Sequence, residues 1–162
     1  MKFVQIGIFI LATTLLSACG FKPMHAPGAF GGSGVSLQNI EVVTVNNEKI
    51  DFLLKQSLRD RMGDASGGAY TLHIEPKLKR RTLGIGSDDV ASRYDLTMEA
   101  KFELQNAKGE VVFKDKVRAI STFAAPRDPY GTIAAQNNAT EQVAAETADR
   151  IIIRLSRFTP EQ

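Results

Sequence analysis

Tryptophan is absent from this 162-residue chain, and cysteine and histidine are scarce, at one and two. Those shortages exclude much familiar chemistry. A lone cysteine forms no internal disulfide, and a structural metal site needs several Cys or His ligands at set spacing. His25 falls in a Gly- and Pro-rich stretch and His73 on the polar phase of a strand. Neither has a spaced partner, so both read as solvated. With no Trp and only three Tyr, an aromatic platform for sugars is not expected. Charge of one sign is missing too. A formal net charge of +2 leaves no bulk electrostatic footprint for nucleic acid. No apolar run reaches the ~18 residues that a membrane-spanning helix requires.

What is present begins at the N-terminus. Lys2 precedes an apolar run from Phe3 to Leu16, and Ser17 and Ala18 supply the small residues a signal peptidase takes. This reads as a secretory signal peptide over residues 1–18. The form Leu16-Ser17-Ala18-Cys19 resembles the bacterial lipobox. That resemblance makes Cys19 the mature N-terminus and a lipidation site, with a diacylglyceryl group and acyl chains such as palmitate. A buried structural thiol and an intermolecular disulfide are the other readings. Each buried methylene adds about 0.8 kcal/mol, and two or more chains anchor stably. Gly20 follows where an aspartate usually signals inner-membrane retention. The resemblance therefore implies the outer membrane, facing the periplasm.

Residues 19–36, through GFKPMHAPGAFGGSGVS, read as a lipidated N-terminus and flexible tether. One domain is expected over 37–158, with a tail at 159–162. LQNIEVVTV (37–45) is rich in β-branched residues and predicts a strand. Ile50, Leu53, Leu54, Leu58 and Met62 recur at helical spacing, with Asn46 or Asn47 expected as cap and Gly63 as stop. YTLHIEPKL (70–78) alternates. RYDLTMEAKFEL (93–104) alternates without a break, every even position apolar and every odd one polar. That is a long antiparallel strand with one buried face. NAKGE (106–110) predicts a hairpin turn, with Gly109 taking positive φ. VVFKDKVRAISTF (111–123) returns, its apolar phase shifting near Ile120, so a bulge is expected there. Asp128-Pro129 can start a helix, and the Ala-rich stretch beyond carries a stripe from Val143 to Leu155. Strand, helix, three strands, helix predicts an α+β two-layer sandwich. Its four-stranded, mostly antiparallel sheet carries both helices on one face.

The search for chemistry is largely negative. GSG at 32–34 lacks the strand-turn-helix setting of a nucleophile elbow. GIGSDD (84–89) has strands on both flanks, so it reads as a hairpin loop and not a phosphate cradle. Asn138-Ala139-Thr140 matches the glycosylation acceptor pattern by chance, inside a helix. No enzyme, cofactor or metal is expected. The dense basic cluster is KLKRR, with Lys77, Lys79, Arg80 and Arg81 beside the apolar loop TLGIG. It is either a solvated strand end or a contact for anionic lipid or lipopolysaccharide phosphates, which suit Lys and Arg.

LSACGFKP, the element order, ASRYDLTMEAKFELQNAKGEVVFKDKVRAISTF and the helix ending DRIIIRL together resemble the lipopolysaccharide-assembly lipoprotein family, LptE. The resemblance covers most of the mature chain and contains no catalytic signature. It implies a lipoprotein that plugs the β-barrel of the LptD translocon, assists its assembly and contacts lipopolysaccharide. The four basic residues are assigned from charge, since no family motif carries lipid contacts over singly. Two other readings stand beside this one: the lipoprotein accessory of an ABC-type phospholipid trafficking system, and a lipid-anchored periplasmic enzyme.

Overall fold

The computed structural model describes residues 37–46, 48–85 and 91–158. The expected signal peptide, Cys19, the expected tether with His25, and the C-terminal residues 159–162 lie outside the described residues. So do Asp88, Asp89 and Asn47.

A short 3₁₀ turn, Leu37–Asn39, leads into strand β1, Ile40–Thr44. Helix α1 follows, Lys49–Met62, then three long strands: β2, Tyr70–Ile85; β3, Ala91–Asn106; and β4, Val111–Ala124. Helix α2, Pro129–Ser156, closes the chain. The strands lie in the order β1-β2-β3-β4 in one open sheet. β1 runs parallel to β2 over five residues only, from the Ile40–Tyr70 pair to the Thr44–Ile74 pair. The other two ladders are antiparallel. Parallel neighbours need a crossover, which α1 supplies. The fold is thus the α+β arrangement expected.

Alternation decides which side of the sheet is dry. In β3 the even residues Leu96, Met98, Ala100, Phe102 and Leu104 are all buried, and in β2 so are Leu72, Ile74 and Pro76. Both helices lay their apolar stripes on that side, Leu54, Leu58 and Met62 from α1, and Val143, Ala144, Ala148, Ile151 and Leu155 from α2. The alanines let α2 approach closely. The two helices run parallel: Lys49 Nζ donates to Asn137 Oδ1 at one end, and Arg61 pairs with Asp149 at the other.

The structure corrects four local expectations. Asn46 is not the cap of α1. The helix starts after an extended Glu48, which makes no side-chain capping bond. Glu48 and Asp51 instead place acidic groups at the positive end of the helix dipole. Next, β4 has no irregularity near Ile120. Its odd residues Val117, Ala119 and Phe123 stay buried in unbroken alternation, and Ile120 is simply an apolar side chain on the other face. The register shift lies at Leu104/Gln105, beside the hairpin, where Val112 is the extra residue. The loop expected at TLGIG is strand through Ile85, because β2 pairs with β3 up to Ala91. Finally, β1 is shorter than read, since Leu37–Asn39 is a helical turn.

Turn chemistry follows the sequence closely. Gly109 has φ +79°, and Asn106 Oδ1 accepts from the backbone N–H of Lys108 and Glu110, closing the β3–β4 hairpin. Asp128 caps α2 by accepting from Gly131 N–H at 2.7 Å, with Pro129 in the first turn.

Candidate functional site

The helix-free face of the sheet holds the odd residues of β2 and β3 and the even residues of β4. These are mostly charged, and the register fixes who faces whom. Across the three strands His73, Glu103 and Lys114 form one row, Glu75, Lys101 and Lys116 the next, and Lys77, Glu99 and Arg118 the third. Two shallow depressions run over these rows, of about 590 and 350 Å³.

Four ion pairs cross or run along this face. Lys114 meets Glu103 at 2.6 Å, Lys77 meets Glu75 at 2.9 Å, Arg81 meets Asp95 at 3.7 Å and Lys79 meets Glu99 at 3.8 Å. Asp95 is the least exposed of the acids and also accepts from Thr122 Oγ1 at 2.6 Å. The Glu75 carboxyl is held below its ordinary value. The cause is first the Lys77 hydrogen bond and charge, then the charge of Lys101. Exposed pairs of this sort contribute about 0–1 kcal/mol each, so the face is ordered more by register than by its ion pairs.

The basic cluster read from the sequence divides in two. Lys77, Lys79 and Arg81 point to the open face, each beside an acid. Arg80 points the other way. It donates from Nη1 to Gln136 Oε1 of α2 at 2.9 Å and lies over the Tyr94 ring, which itself stacks on Phe123. Period-2 geometry forces this split on any run of basic residues in a strand. His73 sits half-buried at the rim of the larger depression, opposite Glu103. Sequence reasoning placed Lys101 on the charged face of its strand but missed Lys116 and Arg118. All three are polar-phase residues in their own strands, and only the register brings them together. Among the described residues no group of three or more His, Cys, Asp or Glu side chains is placed to hold a metal ion.

Residues 37–155 match the family model for LptE, described as lipopolysaccharide-assembly. The chain is also similar to the crystal structure of a candidate lipoprotein from Caulobacter crescentus CB15. Identity is 32%, coverage is 75% of this chain and 90% of that one, and the TM-score is 0.63. The rare lipoprotein B of Shewanella oneidensis is 17% identical over 72% of this chain and 92% of that one, with a TM-score of 0.54. A lipoprotein B from Nitrosomonas europaea is 12% identical over 86% and 92%, with a TM-score of 0.62. At these identities the last two show a shared fold alone. No curated protein matches the chain.

Proposed function

Because the chain belongs to the LptE lipopolysaccharide-assembly family, we propose that it is a lipoprotein anchored through Cys19 in the outer membrane, where it plugs the LptD-type barrel. In this reading it faces the periplasm, helps the barrel assemble and supports delivery of lipopolysaccharide to the outer membrane. It acts by fit and contact, not by catalysis. The observation that carries the reading is the family match across nearly the whole described domain. The fold agrees with it. A plug needs a compact body with long, regular strands and a water-compatible outer face, and a charged open sheet meets that need. Lys77, Lys79 and Arg81 are the candidate lipopolysaccharide contacts on that face, while Arg80, turned to α2 and Tyr94, is set apart from them.

Gentle-detergent affinity purification of the full-length chain from membranes tests this. A large β-barrel protein should be recovered at near-equal stoichiometry. Recovery of the lipoprotein alone would rule the plug out. The anchor has its own test, because Cys19→Ala should abolish fatty-acid labelling and leave uncleaved precursor.

A further inference from the structure

The acids of the three long strands' open face are all taken. Glu75, Asp95, Glu99 and Glu103 each already have a cation within 4 Å. Among the described residues three cations at the centre of the face make no ion pair within 4 Å, although the charge of Lys101 still acts on Glu75. Lys101 and Lys116 stand directly opposite one another on β3 and β4, and Arg118 lies two residues further along β4, across from Glu99. Glu75 is the row neighbour of Lys101 but reaches along its own strand to Lys77. Glu99 is likewise drawn to Lys79. Like charges directly opposite in an antiparallel pair destabilise it. This sheet carries such a pair beside a third cation, and the neighbouring acids Glu75 and Glu99 are each shared with a closer lysine of β2.

We propose that Lys101, Lys116 and Arg118 form a docking surface for a protein partner whose contacting strand or loop carries carboxylates. This rests on the plug reading for the partner's identity and names the face that meets it. A protein surface fits better than a small anion because the site is a broad shallow depression and not a closed pocket. Ile120 is half-exposed on the same face, two residues beyond Arg118, and offers an apolar contact beside the charges. The paired charges around the three cations are matched within the chain, so the surplus alone selects the partner's sign. Complementary charge of this kind steers association and fixes register more than it adds affinity.

The test places a photo-crosslinking amino acid at position 116 of the full-length chain in cells, with a control probe at Phe52, which is exposed on α1. The crosslinked peptide is then mapped by mass spectrometry. An adduct with an acidic peptide of the barrel supports both the docking face and the plug. An acidic peptide from another identified envelope protein supports the face and removes the plug. A peptide without Asp or Glu, an adduct with lipopolysaccharide alone, or no protein adduct at position 116 overturns the proposal. As a second arm, Lys101→Glu with Arg118→Glu should lower the position-116 adduct at least tenfold while the circular dichroism spectrum and melting temperature hold. An undiminished adduct also overturns it.

Discussion

The guanidinium of Arg80 lies 5.1 Å from the centroid of the Tyr94 ring, on the opposite side of the sheet from its neighbour Arg81. Adjacent basic residues therefore do different work. Arg80 ties β2 to β3 and α2, and a cation–π contact at an exposed site is worth about 0.5–1 kcal/mol. Arg80→Ala should lower stability by about 1 kcal/mol once the Gln136 hydrogen bond is included. Urea denaturation measures the loss. A stability equal to that of the parent protein would mean that neither contact forms in solution.

Lys77, Lys79 and Arg81 should behave in the reverse way. Their replacement by glutamine together should weaken lipopolysaccharide binding while the melting temperature stays within a few degrees. The readout is titration with purified lipopolysaccharide. Unchanged binding would return these residues to the role of a solvated strand end.

Gly68 is tightly constrained. A Cβ there would stand 2.2 Å from the backbone oxygen of Asn39, so β1 would have to move. Gly109 is different: open space surrounds it, and only its φ of +79° resists a side chain, at about 1–2 kcal/mol. Gly68→Ala should therefore be the more damaging change, with β1 displaced. Amide chemical shifts of Ile40 to Thr44 would report that displacement, and their constancy would contradict it.

Leu58 is fully buried between α1 and the sheet. Leu58→Ala should cost about 2–5 kcal/mol, the range for truncating a buried leucine. Phe52 stands on the same helix but is 67% exposed, so Phe52→Ala should change stability by less than about 0.5 kcal/mol. A denaturant series on both variants separates the two faces of α1.

Glu75 carries the pH prediction. Its carboxyl titrates below the ordinary 4.5 because Lys77 and then Lys101 favour the charged form. A depressed folded value stabilises the fold above the unfolded value, and that contribution disappears as pH falls through the folded value. The effect is confined to the acid side of pH 4.5. Lys77→Gln should move the Glu75 midpoint upward in an NMR titration, and Lys101→Gln should move it less. An unmoved midpoint in Lys77→Gln would deny the pairing.

The elements were legible where one face is dry. RYDLTMEAKFEL announces β3 residue by residue, because core and solvent read alternate positions of a strand. Asp128-Pro129 and the Asn106–Glu110 turn were legible because their chemistry is local. The end of β2 was not, since pairing with β3 and not composition holds TLGI extended. Ile120 misled for a related reason: an exposed isoleucine imitates a change of phase. The surplus cations were hidden for a deeper reason. Lys101 and Lys116 are fifteen residues apart and ordinary in their own strands, and only their register across the hairpin makes them opposite.

The five-residue parallel ladder between β1 and β2 has a consequence for motion. It is the shortest ladder in the sheet, while β2–β3 and β3–β4 are long antiparallel ladders built from neighbouring strands. Local openings start where the fewest bonds must break. Amide protons of β1 should therefore exchange with solvent before those of β3, which is paired on both sides. Since β1 is the first strand after Leu37, any tension arriving along the chain from its N-terminal side meets the domain at this ladder. The first strand of the described domain is thus also its mechanical fuse.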